Sequence, residues 1–298
     1  MTPLEEADSV LDTTEDWEQT TGDRDSFVLR PTIWAGGASD VGMRHSPNQD
    51  AIALAAGSGA DERAIAVACV SDGVSTSPHS EEASALAVEV ACDNLTGQLR
   101  DAASTFSEAD ALVEAFAEAN DAILESSGVT TAGTWACTLI VALVWHDQVV
   151  VANIGDSRSY WMPDDGEPLL LSTDDSMAQA QIDLGVDRET AESSSGAHAI
   201  TKWLGPGSVD VTPTMTSLEI TEPGWLLTCT DGLWNYASDP QAMADALDKA
   251  ISAEEAEGND PQAWAVCCQL VDWANELGGH DNVTATLMRL EPTGWPVR

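Results

Sequence analysis

The chain has 298 residues, of which 43% are hydrophobic, so it is long enough and apolar enough to bury a substantial core. Its formal net charge of -40, from 51 acidic against 11 basic residues, repels nucleic acids and anionic membranes, so we expect neither as a partner. The longest apolar stretch, 135–145, is too short to cross a bilayer, and the first thirty residues lack a signal peptide pattern, so we expect a soluble, cytoplasmic protein.

The acidic residues 1–30 are predicted to form a disordered tail. Apolar strands and amphipathic helices follow. In chain order, strands are predicted within 31–42, 50–57 and 62–73, helices over 80–99 and 107–127, strands within 134–145, 148–154 and 158–162, a short helix within 176–186, a strand within 225–230, helices over 240–250 and 261–277, and a strand within 278–290.

The order of these elements predicts the fold class. Strands meet strands through short turns, and helices come in pairs between groups of strands, which indicates the α+β class with antiparallel sheets covered by helices. Residues 31–298 contain no evident linker or repeat, so they are predicted to form a single domain.

Aspartates recur at the predicted strand ends. Asp72 and Asp231 each end an apolar strand and precede a glycine, Asp50 and Asp281 each stand at the start of one, and Asp156 lies in a turn. If these ends converge, the carboxylates repel one another, and a divalent cation such as Mg²⁺ or Mn²⁺ offsets that repulsion. The alternative is ordinary: an isolated Asp-Gly is usually a turn, and most acids of so acidic a chain are solvated.

Eight segments stand in the order of one known family. They are SDVGMRHSPNQDAIAL, VSDGVSTSPHSEEAS, GTWACTLIVAL, NIGDSRSYW, LSTDDS, ITKWLG, TCTDGLW and GGHDNVT. Over roughly residues 33–291 the chain thus resembles the metal-dependent serine/threonine protein phosphatases of the 2C type, especially their bacterial members. The resemblance implies a four-layer αββα sandwich, in which two antiparallel sheets are flanked by helices and two metal ions bind at one end.

The resemblance also implies roles for the aspartates. Asp72 would bridge the two ions, the carbonyl of Gly73 would bind one of them, and Asp231 and Asp281 would complete the shell of the second ion. Asp156 matches the position that, together with Asp231, holds a third, weaker ion in bacterial members.

The attacking water is the other part of the implied site. Asp50 and Gln49 would hydrogen-bond metal-bound waters. Two bound ions would lower the pKa of a shared water, and the resulting hydroxide would attack the phosphorus of a phosphoserine or phosphothreonine in line with the leaving oxygen.

The chain departs from the family at the phosphate contact. The family commonly has an arginine five residues before Asp50, where this chain has His45 with Arg44 beside it. An arginine grips phosphate with two hydrogen bonds, which histidine does not reproduce. Either Arg44 reaches the phosphate, which is our hypothesis, or His45 is a weaker partner; a third reading leaves Arg44 as a solvated surface residue.

The resemblance predicts a monomeric signalling enzyme that dephosphorylates the protein substrates of serine/threonine kinases. A non-catalytic pseudophosphatase that acts as a binding or regulatory module is the main alternative, which the residue at His45 favours and the retained aspartates oppose. A metal-dependent hydrolase of small phosphate esters is a third reading.

Overall fold

The structure is a computed structural model, and it describes residues 10–12, 18–19, 25–59, 63–100, 106–128 and 135–292. In that part of the chain the strands are β1 (Val10–Asp12), β2 (Glu18–Gln19), β3 (Ser26–Leu29), β4 (Ala35–Asp40), β5 (Asp50–Ser58), β6 (Ala64–Asp72), β7 (Leu139–Trp145), β8 (Gln148–Ile154), β9 (Arg158–Pro163), β10 (Leu169–Leu170), β11 (Thr214–Glu219), β12 (Gly224–Cys229) and β13 (Val283–Leu290). The helices are α1 (Ser80–Arg100), α2 (Glu108–Ser127), α3 (Met177–Asp183), α4 (Arg188–Glu192), α5 (Asp231–Trp234), α6 (Pro240–Ala256) and α7 (Ala263–Glu276).

The strands pair into two antiparallel sheets. The first sheet has the order β1-β5-β6-β7-β8-β11, and the second has the order β10-β9-β12-β13-β4-β3-β2. Helices α1 and α2 cover the outer face of the first sheet, and α6 and α7 cover the outer face of the second. Three apolar cores therefore separate four layers, which confirms the predicted α+β sandwich.

Strand β6 shows why its sequence is almost continuously apolar. Successive side chains of a strand point to opposite faces of the sheet. In β6 the side chains of Ile65 and Val67 pack against the helices, whereas those of Ala66 and Ala68 pack between the two sheets. Because both faces are covered, the sequence does not alternate between apolar and polar residues.

The N-terminal segment differs from the prediction of a disordered tail over 1–30. Strand β1 pairs with β5, β2 pairs with β3, and β3 pairs with β4, so both sheets include residues that precede residue 31. The backbone groups of these segments pair with neighbouring strands, and the acidic composition of residues 1–30 does not reveal this pairing. Some of the predicted segments lie outside the described part of the chain: residues 1–9, 13–17 and 20–24 of the tail, the first two residues of the GTWACTLIVAL motif, and residues 293–298.

Within the described ranges, no helix combines the length and the apolar character that a membrane span requires.

Candidate functional site

The strand-end aspartates lie within electrostatic reach of one another. Asp50, at the start of β5, stands directly opposite Asp72, at the end of β6, in the antiparallel register. Burial raises the pKa of Asp72 well above its usual range, and the negative charges of Asp50, Asp231, Asp156 and Asp281 raise it further. The fold thus brings all five predicted carboxylates into one region, where each ionised group disfavours ionisation of its neighbours.

Whereas Asp72, Asp231 and Asp281 are only partly buried, Asp50 is buried. Its side chain Oδ2 accepts a hydrogen bond of 2.8 Å from the hydroxyl of Thr230, while its Oδ1 has no hydrogen-bond partner among the described residues. Burial raises the pKa of Asp50 to about 7, and the charges of Asp231 and Asp281 contribute to that rise. A buried carboxylate oxygen without a partner is a natural acceptor for a water or a ligand.

Asp231 is the first residue of α5. Burial and then the charge of Asp281 raise its pKa to about 7, whereas a hydrogen bond of 3.2 Å from the Asn235 amide opposes that shift. The next residue, Gly232, packs so closely that an added Cβ would lie 1.8 Å from the carbonyl oxygen of Asn282. Glycine at this position therefore lets α5 and the segment of Asp281 approach each other.

Gly73 has a similar packing reason. Its amide donates to the carbonyl of Gln49 at 3.0 Å, and a Cβ at this position would lie 2.8 Å from the carbonyl oxygens of both Gln49 and Ser80. The close approach of three backbone segments explains the residue type. The role of its carbonyl as a metal ligand stays a prediction.

Asp156 lies in the turn between β8 and β9 and is only 4% exposed. Burial raises its pKa well above the usual range, and the charges of Asp231 and Asp174 raise it further. Asp175 holds this turn, because its amide donates to the Gly155 carbonyl at 2.7 Å and its carboxylate accepts from the Gly155 amide at 3.1 Å. Asp175 thus supports the turn that carries Asp156.

The predicted water-binding and phosphate-binding residues occupy different environments. The backbone amide of Gln49 donates to Asn282 Oδ1 at 2.8 Å, and its side-chain Nε2 donates to the Ser80 hydroxyl. His45 is half-buried, with Nε2 lying 3.7 Å from Asp281 Oδ1. Arg44 is exposed and forms no ion pair with another described residue. The structure therefore brings His45, and not Arg44, into contact with the aspartate group.

Two further residues of the site were not identified from the sequence. Thr230 both donates to Asp50 and accepts from the Thr284 amide at 3.2 Å, which joins β12, β5 and β13. Asn282 accepts from the Gln49 amide and donates to the Val41 carbonyl at 2.8 Å. Each directly adjoins a predicted aspartate, and this adjacency is the only sequence signal that could have drawn attention to them.

The donor set fits a hard divalent cation. All five side chains offer carboxylate oxygens, one oxygen of Asp50 lacks a partner, and the mutual repulsion is of the kind that a cation offsets. However, no three or more His, Cys, Asp or Glu side chains in the described part of the chain are arranged as a ready-made metal site. The fit therefore rests on donor chemistry and charge, and the assignment of individual ligands is a proposal.

Two antiparallel sheets lie between helical layers, and carboxylates gather at the strand ends, as the resemblance to the 2C-type phosphatases implies. A family model described as protein phosphatase 2C matches residues 42–273. The chain belongs to this family.

The curated relatives include bacterial phosphatases. The serine/threonine phosphatase stp of Listeria innocua is 28% identical over 153 residues, which are 51% of this chain and 55% of that protein. The serine/threonine protein phosphatase PstP of Mycobacterium tuberculosis is 31% identical over 151 residues, which are 50% of this chain and 26% of that protein. The matches span about half the length of the first of these relatives and about a quarter of the second.

Solved structures match over more of the chain. The M. tuberculosis phosphatase PstP/Ppp has a TM-score of 0.67 at 26% identity and covers 89% of this chain and 99% of its own. The PstP catalytic domain in complex with two manganese ions has a TM-score of 0.64 at 25% identity, with the same coverage. The phosphatase MsPP of Mycobacterium smegmatis, in complex with cacodylate, has a TM-score of 0.64 at 26% identity and covers 86% of this chain and 97% of its own.

Proposed function

We propose that this chain hydrolyses phosphoserine and phosphothreonine in phosphoproteins, with Mg²⁺ or Mn²⁺ as cofactor. The observation that carries the proposal is the pairing of Asp50 opposite Asp72 in a group of aspartates that raise one another's pKa. Membership of the 2C family, and the two manganese ions in the related PstP structure, support the same reading. The physiological substrates would be proteins modified by serine/threonine kinases, and the protein would act as a cytoplasmic monomer.

The chain's own side chains divide the work. Asp72, the Gly73 carbonyl, Asp231 and Asp281 would hold two ions, and Asp156 with Asp231 would hold a third, weaker one. When bound, such ions supply a water of lowered pKa and offset negative charge on the phosphoryl group.

Asp50 and Gln49 would orient the attacking water. The unpartnered Oδ1 of Asp50 can accept a hydrogen bond from that water, while Thr230 keeps the other oxygen in place. A hydrogen bond to Ser80 orients the side chain of Gln49, and a hydrogen bond to Asn282 holds its backbone amide. Both groups are therefore positioned before substrate binds, which lowers the entropic cost of reaching the reactive geometry.

The phosphate contact is assigned to His45. Its imidazole already lies beside Asp281, whereas Arg44 is exposed and forms no ion pair with another described residue. A protonated imidazole donates one hydrogen bond to a phosphoryl oxygen, and arginine donates two. We therefore expect weaker substrate binding than in relatives that have arginine here.

This weaker contact is also the observation that favours a second function. A pseudophosphatase would keep the fold and bind a partner without turnover, and loss of the arginine would be tolerated in such a protein. Retention of Asp72, Asp231 and Asp281 favours catalysis over this alternative.

The test measures phosphate release from a phosphothreonine peptide with Mn²⁺, with and without a chelator. We expect Mn²⁺-dependent release that Asp72→Asn abolishes while the thermal unfolding midpoint of the metal-free protein is maintained. No release from the wild-type protein that nevertheless binds Mn²⁺ would favour the pseudophosphatase. Release from p-nitrophenyl phosphate but not from any phosphopeptide would favour a hydrolase of small esters.

A further inference from the structure

One side chain connects the two segments that carry Asp156 and Asp231. Trp234 belongs to α5, the helix that begins at Asp231, and is 3% exposed. Its indole Nε1 donates a hydrogen bond of 2.9 Å to the backbone carbonyl of Asp156. The pairing of β9 with β12 ends where Arg158 stands opposite Cys229, two residues from each aspartate, and the indole hydrogen bond joins the segments beyond that point.

A buried guanidinium packs against the ring of Trp234. The Cζ atom of Arg158 lies 3.7 Å from the centroid of the Trp234 ring, and Arg158 is fully buried. Its Nε and Nη2 donate to the carboxylate of Asp174 at 3.0 and 2.7 Å, and its Nη1 donates to the Ser238 hydroxyl at 2.8 Å. Several charge-assisted hydrogen bonds fix the plane of the guanidinium, and this plane in turn fixes the ring stacked on it.

Helix α4 contributes a further ion pair to Arg158 through Glu192. Glu192 accepts from Arg158 Nη2 at 2.8 Å, from Arg188 at 3.0 Å and from the Ser238 hydroxyl at 2.6 Å. These bonds explain why the pKa of Glu192 is lowered despite its partial burial. The charge of Glu192 is thus used to hold Arg158 against Trp234.

We propose that Trp234 is a positioning residue that sets the separation of the Asp156 and Asp231 carboxylates, with Arg158 and Glu192 as its brace, and thereby forms the site of the weakest-bound cation. The two carboxylates repel each other, and the pairing of β9 with β12 stops two residues short of both, so the Trp234 hydrogen bond restrains the backbone at Asp156 against this repulsion. The proposal rests on the proposed function only in taking these two aspartates as ligands.

The test is Mn²⁺ binding, measured by isothermal titration calorimetry without substrate. Trp234→Phe keeps an aromatic ring on Arg158 and removes the indole hydrogen bond. We expect it to weaken the lowest-affinity Mn²⁺ class by about three- to tenfold, the worth of one hydrogen bond, and to leave the tighter classes unchanged. The same isotherm as the wild-type protein would overturn the proposal, as would a wild-type isotherm that has no weaker class.

The matched control is Trp264→Phe. Trp264, in α7, also stacks under a guanidinium at 3.7 Å, that of Arg30, and also donates its indole hydrogen, to Gln262 at 2.7 Å. We expect this variant to bind Mn²⁺ as the wild-type protein does. If both variants weaken the same class, the effect is a general loss of packing, and the proposal is wrong.

A second variant decides the matter if Trp234→Phe does not fold. Glu192→Gln removes the charge that holds Arg158. Its control, Glu254→Gln, removes the charge of a buried glutamate elsewhere, in α6, which accepts from Gln269 at 2.8 Å. Weakening of the lowest-affinity class in the first variant alone supports the proposal, and equal isotherms refute it. Because no substrate is present, a protein that binds Mn²⁺ but releases no phosphate would refute the proposed function and leave this inference standing.

Discussion

Asp50→Asn is expected to stabilise the metal-free protein at alkaline pH although it removes a residue of the proposed site. The substitution replaces a buried carboxylate by a neutral group of the same shape. The amide oxygen can still accept the hydrogen bond from Thr230. The amide nitrogen then takes the place of Oδ1, which has no partner among the described residues.

The magnitude follows from the pKa of Asp50, which is raised from 3.8 to about 7. Because the folded protein holds this proton more tightly than the unfolded chain, ionisation destabilises the fold, and stability is lost as pH rises from about 4 to about 7. At about 1.4 kcal/mol per pH unit, the loss approaches about 4 kcal/mol at pH 8. The unsatisfied amide nitrogen costs about 1–3 kcal/mol at any pH. The net effect is a gain of about 1–3 kcal/mol at pH 8 and a loss of similar size at pH 4.

The assay is chemical denaturation in the presence of a chelator at pH 4, 6 and 8. The control is Asp248→Asn, which removes the same charge from an exposed position of α6 and should change the free energy of unfolding little at any of these pH values. A sign reversal between pH 4 and pH 8 in Asp50→Asn alone is the expected result. A destabilisation that does not depend on pH would show that the carboxylate is not strained by burial and repulsion.

Three further outcomes are expected. His45→Ala should raise KM for a phosphopeptide more than Arg44→Ala, and His45→Arg should lower it below the wild-type value, whereas the reverse ranking would return the phosphate contact to Arg44. Gly232→Ala should lower the free energy of unfolding by about 1–3 kcal/mol or more, because its Cβ would overlap the Asn282 carbonyl. The control Gly97→Ala, in α1, places a Cβ where no atom lies within 4 Å and should be neutral or stabilising. Equal effects of the two substitutions in denaturant titrations would contradict the packing argument. If the net charge of -40 reflects salt adaptation, the midpoint of thermal unfolding at saturating Mn²⁺ should rise as KCl increases to about 1 M, where the Debye length is roughly 3 Å. A midpoint that stays flat or falls would leave solubility as the reason for the charge.

The sequence alone determined the parts of this protein that depend on local pattern. The apolar run of β6 and the helical periodicity of α1 and α2 identify themselves within a few residues, because side-chain period follows directly from backbone geometry. The placement of Asp72 and Asp231 before glycines at strand ends is equally local, so the candidate carboxylates are recognisable from the order of residues along the chain.

The tertiary structure decided what depends on partners distant in sequence. Strand β1 has only three residues and β3 only four, while β11 is mostly polar, and pairing with neighbouring strands is what makes each of them a strand. The contact of His45 with Asp281, in preference to the neighbouring Arg44, likewise depends on how two loops meet. So does the burial of Arg158, whose partners lie up to 80 residues away. These outcomes depend on packing between distant segments and on the desolvation that accompanies it, and the spacing of residues along the chain predicts neither.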